Sequence, residues 1–378
     1  MPPLRLAIKD RRDTNKRQSP LASNANMNSV YPGGEGLMNK LMSSRTVLEH
    51  ELSELRLVIE RQTGLVLVCP NSALAARVAE TVEALQLASV TALVERFRST
   101  DDATMLGNFL EALAPADTGF LRHHGPLNAL TRCVLPQLFS RKTTEGHSTL
   151  RIWSAGCGTG EEPYSIAMAV CDGMPAPNGS PNKTNGSAAP SSAASNGIQN
   201  PSSEAAWSVH IVGSDLVPQA VAAAERGVYP HSSVAGLPSA TIRSCFSKVG
   251  TAGANASKNG GTTAASATTE APATNSEPYV MVKPRLRSLM TFNTMNLARP
   301  TYIGRFDCIF CMDVLPHFSR PQKLALIERL HLYLEPGGYL FLGTGEKLIP
   351  NNLNFRSECH DGYTFYRKPV AAGATFGR

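Results

Sequence analysis

No stretch of this chain approaches the roughly 20 consecutive apolar residues that a membrane helix requires, so membrane insertion is not expected. The N-terminus also lacks the apolar core of a secretory signal, and a cytoplasmic location is expected. Charge is sparse: of 378 residues only 17% are Asp, Glu, Lys or Arg, and the net charge is +6. Most of that excess fits between Arg5 and Arg17, where Arg5, Lys9, Arg11, Arg12, Lys16 and Arg17 outnumber Asp10 and Asp13. A solvated leader accounts for it, and no nucleic-acid partner is expected. The 8 cysteines are scattered without a disulfide framework and read as reduced thiols. Cys308-Ile309-Phe310-Cys311 has C-x-x-C spacing, but it lies in an apolar run with no second ligand pair. It reads as buried strand, and no metal is expected.

What is present is a globular composition, 42% apolar, diluted by Ala, Ser, Asn, Gly and Thr over a length that suits two domains. Residues 1–44 are polar and rich in Gly, Asn and Pro, a leader expected to be disordered. Val47, Leu48, Leu52, Leu55, Val58 and Ile59 then recur at helical intervals, with Gly64 as the stop. A second helix is predicted from an N-cap at Ser72 through Leu74, Val78, Val82 and Leu85, and others over 90–98 and 103–113. Together they predict a small all-helical domain that spans 45–125 with its linker.

From 126 to 370 the pattern changes. A helix over 126–139 precedes alternating strands and helices: strands at 150–153, 209–213, 289–292, 306–311, 339–342 and 363–367, helices at 218–226 and 322–334. Such alternation predicts an α/β domain with a mainly parallel sheet. Two Ser/Ala/Asn/Gly/Thr-rich stretches, about 172–206 and about 250–276, interrupt it and are expected to be disordered insertions. The first connects a helix to the next strand, away from the strand C-termini where such sheets bind ligands.

The chain is organised around residues 150–170, which read strand, glycine loop, helix. Gly156, Gly158 and Gly160 permit positive φ and close approach of a ligand, and the helix start offers free N–H groups. A dinucleotide fold would show G-x-G-x-x-G with an acid about 20 residues on. Here the spacing is G-x-G-x-G, and Asp215 lies 57 residues beyond Gly158, or about 22 once the insertion is discounted. An acid there accepts from both hydroxyls of a ribose. Glu161 and Glu162 follow the loop directly; they would repel a pyrophosphate, whereas a sulfonium and an amino group favour them. S-adenosylmethionine is the cofactor this chemistry prefers, although the same glutamates also complement a helix dipole.

Cys157-Gly158-Thr159-Gly160-Glu161-Glu162-Pro163-Tyr164-Ser165 resembles the cofactor loop of the CheR-type chemotaxis receptor methyltransferases, which esterify glutamates on receptor cytoplasmic domains. Thr118 to Arg122 is similar to that family's T-x-F-F-R element, and Ala224-Glu225-Arg226-Gly227-Val228-Tyr229 to the helix after its second-strand acid. Asn296-Leu297 resembles its cofactor-contacting pair. Phe306 to Cys311 resembles its fourth strand, and Gly337 to Gly343 with Glu346 its C-terminal end. The resemblance implies a Rossmann-like class I methyltransferase sheet with helices on both faces, a β subdomain inserted at about 228–290, and a separate N-terminal all-helical domain. It implies cofactor binding by Thr118, Arg122, Gly156, Gly158, Glu162, Asp215, Asn296, Leu297 and Asp313. Arg122 and His317 take catalytic positions, S-adenosylhomocysteine is the product, and no metal is needed. The implied partner is the cytoplasmic domain of a methyl-accepting chemotaxis receptor or a similar acidic helical protein, bound by a monomer.

The chain departs from that pattern at several points. Ala116 stands where the family usually has an asparagine, Asp313 replaces another asparagine, and His317 replaces the tyrosine near the transferred methyl. Between Ala73 and Leu87, where the family presents basic residues to its substrate, only Arg77 is basic, against Glu80 and Glu83. These changes leave open a divergent member that binds S-adenosylmethionine or S-adenosylhomocysteine as a regulatory module, or that methylates another acceptor.

Overall fold

The computed structural model describes residues 47–99, 103–111, 113, 118–174, 207–249, 278–301, 303–348 and 353–370. The leader, Ala116, the second insertion and all of the first beyond 174 lie outside the described residues. The chain divides into two compact units.

The first unit contains α1 (Glu49–Thr63), α2 (Asn71–Ala84) and α3 (Val90–Ser99). Leu52, Leu55, Val58 and Ile59 form the buried stripe of α1, which ends at Gly64 with a left-handed φ of 73°. Ser72 does not cap α2. The N-cap is Pro70, two residues earlier, whose fixed φ shapes the entry, and no side chain caps the helix. Arg77, the sole cation of α2, pairs with Glu80 at 3.3 Å.

The second unit contains α4 (Ala103–Glu111), although its sequence position had placed it with the N-terminal helices. The reason is packing: a Cβ at Gly107 would lie 2.6 Å from Cδ of Pro218, so this helix seats closely on the helix that begins there. The expected helix over 126–139 is instead α5 (His124–Ala129), a π-helical turn (Leu130–Val134) and α6 (Leu135–Thr144). Pro136 cannot donate to the preceding turn, and the wider turn accommodates it.

There follow β1 (Thr149–Ala155), α7 (Glu161–Gly173), β2 (Ser208–Asp215), α8 (Pro218–Arg226), β3 (Val228–Pro230), α9 (Ser239–Cys245), β4 (Phe246–Val249), β5 (Tyr279–Val282), α10 (Pro284–Arg287), β6 (Met290–Thr294), β7 (Phe306–Cys311), α11 (Arg320–Tyr333), β8 (Leu334–Leu342), β9 (Arg356–His360) and β10 (Tyr363–Arg367). Seven strands form one sheet in the order β6-β2-β1-β7-β8-β10-β9. The first five are parallel, and β10 runs antiparallel to both β8 and β9. A 3-stranded antiparallel sheet, β3-β5-β4, is the small β subdomain.

The chain leaves β1 toward β2 and β6, then returns to β7 on the other side. That reversal opens a crevice at the C-terminal ends of β1 and β7, where such folds bind ligands. The glycine loop follows β1 and residues 312–318 follow β7, so both border it. β7 is buried throughout, Cys308 and Cys311 included, in keeping with a strand. β8 is longer than expected because Glu335 to Gly338 enter the strand through a register shift opposite Phe306 to Cys308.

Near the start of β7, Asp307 is 1% exposed. Its carboxylate accepts from the Arg151 backbone N–H at 2.9 Å and pairs with Lys142 Nζ at 2.9 Å. Removing one partner of a buried pair leaves an uncompensated charge, at a cost of about 3–5 kcal/mol. Lys142→Ala is therefore expected to lower the chemical-denaturation stability by about that amount, and adding Asp307→Asn to recover part of it; equal stabilities of Lys142→Ala and the parent would contradict this account.

Candidate active site

The glycine loop is fixed from β2. Gly156 and Cys157 donate their N–H groups to the Ser214 carbonyl at 2.8 and 2.9 Å, and Gly158 N–H donates to Asp215 Oδ2 at 2.9 Å. Gly156, Gly158 and Gly160 have φ of 86°, 53° and 100°, conformations that L residues with a Cβ rarely adopt. Two of them are also pressed from outside. A Cβ on Gly156 would meet Val314 Cγ2 at 2.5 Å, and one on Gly160 would meet Ala224 Cβ at 2.7 Å. The loop thus has the helix α8 behind it and the segment after β7 against it.

Asp215 closes one end. Its Oδ2 takes Gly158 N–H and its Oδ1 takes Val217 N–H at 2.9 Å, and burial raises its pKa against those hydrogen bonds. Each oxygen keeps a further lone pair, the capacity a ribose diol needs. Met295 N–H donates to the Asp215 carbonyl at 2.8 Å, which sets Asn296 and Leu297 directly beyond β6 at the same end. Asn296 Oδ1 accepts from Ala298 N–H at 2.9 Å, and the Leu297 carbonyl accepts from Arg329 at 2.6 Å.

The two glutamates after the loop have separate fates. Glu161 is buried and turns back to accept from the Thr159 hydroxyl at 2.7 Å. Glu162 accepts from Ser154 Oγ at 2.7 Å, and burial pushes its pKa up to about 7 from an ordinary 4.5, against the hydrogen bond and the charges of His123 and Arg122. Its folded pKa exceeds its unfolded one, so ionising it costs stability as pH rises between about 4.5 and about 7. A bound cation offsets that cost.

Beside Glu162 stands a second cluster. Arg122 Nη2 donates to Asp313 Oδ2 at 3.0 Å and Arg122 Nε to His123 Nε2 at 3.0 Å, while His123 Nε2 lies 3.3 Å from the same Asp313 oxygen. The hydrogen bond from His123 holds the Asp313 carboxyl below the usual range, despite burial, with further help from the charges of His123, Arg122 and His317. Both sides of this contact are built on left-handed backbone at residues other than glycine: Leu121 at φ 52° and Asp313 at φ 58°. Leu121 is pinned by its N–H to Ser165 Oγ at 2.8 Å, and Phe120 stacks edge-on between Tyr229 and Phe246 at 4.9 and 5.1 Å. Asp313 is pinned by its N–H to Glu346 Oε2 at 3.2 Å, and that oxygen also takes Gly343 N–H.

The structure therefore brings Arg122, Glu162 and Asp313 together at one end of the loop, and Gly158, Asp215, Asn296 and Leu297 at the other. Thr118 is half-buried on the approach to Phe120. His317 ends a single 3₁₀ turn, Leu315–His317, and is exposed, near enough to Asp313 for the two charges to interact. Local desolvation lowers its pKa, Asp313 acts in the opposite direction, and Lys323 adds to the lowering. Sequence reasoning left out His123, Ser154 and Glu346. For His123, adjacency to Arg122 in the sequence was the available signal. Among the described residues no group of His, Cys, Asp and Glu is arranged to hold a metal.

The model of the CheR methyltransferase SAM-binding domain matches residues 116–181 and 265–363. The chain is 30% identical over 301 residues to chemotaxis protein methyltransferase 1 of Pseudomonas aeruginosa, covering 79% of this chain and 89% of that one. It is 25% identical over 323 residues to chemotaxis protein methyltransferase Cher2 of Pseudomonas putida, covering 84% of this chain and 98% of that one. Thr118 to Arg122, the glycine loop, Asn296-Leu297 and Glu346 fall within the family-model match, and the chain belongs to the CheR family of S-adenosylmethionine-dependent chemotaxis methyltransferases.

Proposed function

We propose that this chain methylates glutamate side-chain carboxylates of chemotaxis receptor cytoplasmic domains, with S-adenosylmethionine as donor and S-adenosylhomocysteine as product. The observation that carries the proposal is the charge arrangement at the loop: carboxyl side chains, Glu162 and Asp215, where a cofactor cation and diol would lie, and a guanidinium, Arg122, close enough to act on Glu162. A pyrophosphate would need donors at those positions, so the donor set fits an adenosyl sulfonium better.

The acceptor glutamate, with a pKa of about 4.3, is ionised at pH 7 and needs no general base. Arg122 binds that carboxylate, turns one oxygen toward the methyl and replaces the water it loses. When bound, the cofactor would supply an electrophilic sulfonium methyl to the acceptor oxygen and leave as neutral S-adenosylhomocysteine. No proton moves. Glu162 would hold the ammonium end of the cofactor and Asp215 the ribose, with Gly156, Gly158, Thr118, Asn296 and Leu297 completing the cleft. His317 then serves as a polar ring on the rim, not as a base. The acceptor is a receptor tail or a similarly acidic helix, met by a cytoplasmic monomer. Because Arg77 is engaged by Glu80, α2 contributes little basic surface to that encounter.

A second reading, a cofactor-binding regulatory module without turnover, is favoured by one contact: Asp313 presents its own carboxylate to Arg122. Mass spectrometry of receptor fragments after incubation with S-adenosylmethionine separates the two. Methyl esters on glutamate, released as methanol in base, support the enzyme; tight S-adenosylhomocysteine binding in calorimetry with no ester on any acidic protein supports the module. In the enzyme, Arg122→Ala is expected to lower kcat/KM for the receptor by about 10²-fold or more, the scale of losing one transition-state donor.

The pKa of Glu162 gives a separate expectation. Only the ionised form attracts the cofactor cation, so affinity rises as pH increases through about 7. Calorimetry should find binding about tenfold weaker at pH 6 than at pH 8. Glu162→Gln should bind weakly and with a flat profile over that range; a pH dependence that survives the substitution would assign the titration elsewhere.

A further inference from the structure

Thr159 carries a carbonyl that the helix after it cannot use. α7 begins at Glu161 with Gly160 as its N-cap, and the first helical bond runs from Tyr164 N–H to the Gly160 carbonyl at 3.2 Å. Starting the helix one residue earlier would require residue 163 to donate to Thr159, but that residue is Pro163, which has no N–H. The donor comes from another element. Tyr229, on β3 of the small sheet, donates its hydroxyl to the Thr159 carbonyl at 2.7 Å.

The contact is built from both sides. The Tyr229 ring is buried, edge-on to Phe120 at 4.9 Å and to Tyr164 at 6.4 Å. On the loop, the Thr159 hydroxyl is spent on Glu161, and Gly160 N–H, which shares a peptide plane with the Thr159 carbonyl, donates to the Cys157 carbonyl at 3.1 Å. A Cβ on Gly160 would lie 2.8 Å from the Tyr229 hydroxyl. The close approach that admits this donor therefore demands glycine, the residue whose backbone turns most freely, and the hydroxyl restrains what the missing side chain leaves loose. The β2 acceptors tie the loop at 156–158, and Tyr229 ties the turn that follows.

We propose that Tyr229 is a positioning residue for S-adenosylmethionine, which makes the small β sheet a support of the cofactor site. Its hydroxyl touches no reacting atom. It holds the peptide unit that leads into α7, and with it Glu162, in place before any cofactor arrives. Without the hydroxyl the free loop samples other orientations and binding has to select the competent one. That lowers affinity and leaves the chemical step as it was once the cofactor is bound.

The binding measurement does not rest on the methyltransferase reading, whereas the kinetic one does. Tyr229→Phe keeps the ring and removes only the hydroxyl. In the full chain, calorimetry with S-adenosylhomocysteine should find Kd raised about two- to tenfold, the scale of one neutral hydrogen bond. Tyr339→Phe is the control: its hydroxyl donates to Gln137 Oε1 at 2.8 Å, on β8 beside Cys308 and short of the strand ends. Its loss should lower denaturation stability to a similar degree and leave Kd unchanged. Amide exchange over 156–162 of the unliganded chain should quicken in Tyr229→Phe and return to the parent rate with S-adenosylhomocysteine bound. A Kd in Tyr229→Phe equal to the parent's, an equal loss in Tyr339→Phe, or unchanged exchange would overturn the proposal whether or not any acceptor is methylated.

With a receptor fragment as acceptor, KM for S-adenosylmethionine should rise by the same factor as Kd while kcat holds. A lower kcat at unchanged KM would move the effect of Tyr229 to the chemical step and would also sink the proposal.

Discussion

The site depends on β1 having a parallel neighbour on each side. Pairing with β2 brings Ser214 and Asp215 to the end of β1, where the Ser214 carbonyl and the Asp215 carboxylate take three successive N–H groups of the glycine loop. Pairing with β7 brings Asp313 and Val314 to the other side of the same strand end. The loop is therefore shaped by its neighbours as much as by its glycines. The glycines remove the steric bar to left-handed backbone, while the β2 acceptors select that conformation. The indole of Trp153, buried and donating to Ser214 Oγ at 2.9 Å, fixes the spacing of the two strands just below the loop.

A second constraint follows from the β7 side. Glu346 gathers two backbone N–H groups, one from the segment after β8 and one from Asp313, onto a single carboxylate oxygen. Gly343 admits this closure, because a Cβ there would lie 2.2 Å from Asp313 Oδ1. Asp is among the residues that tolerate φ near 58° without a severe penalty, and with its backbone so fixed its side chain is directed at Arg122. Contacts between residues 191 positions apart in the sequence are therefore held by strands in between, not by the flexibility of either loop.

The parts of this arrangement that are local were legible in the sequence. Helical spacing located α1 and Gly64, the apolar alternation located the strands, and the glycine loop with Asp215 located the cleft once the low-complexity insertion was discounted. What sequence pattern missed was decided by tertiary contact. The helix α4 follows its neighbours in sequence, yet Gly107 lets it pack on Pro218. Pro136 reads as a residue of a regular helix, yet the chain widens into a π-helical turn before it. Glu161 and Glu162 are equivalent in a string of letters. One turns back on Thr159, and the other bonds to Ser154 with a raised pKa beside the cleft. Periodicity carries no information about which of two adjacent carboxylates finds a hydroxyl.

Charge explains why the cluster around Arg122 has the composition it has. In the proposed reaction the methyl donor is a cation and the acceptor an anion, which attract one another, so a site serving both would need no strong net field but would need each charge held apart until the reactants are in place. Glu162, kept partly protonated by burial, becomes fully anionic only when a cation arrives. Asp313, kept ionised by its hydrogen bond to His123, holds Arg122 until another carboxylate competes for it. That competition is feasible because the pair is exposed, 36% for Arg122 and 45% for Asp313, where an ion pair contributes about 0–1 kcal/mol and solvent screens it. A buried pair would have locked the guanidinium in place. In the proposed reaction, an exposed one could yield it to an incoming glutamate and recover it when the neutral ester leaves.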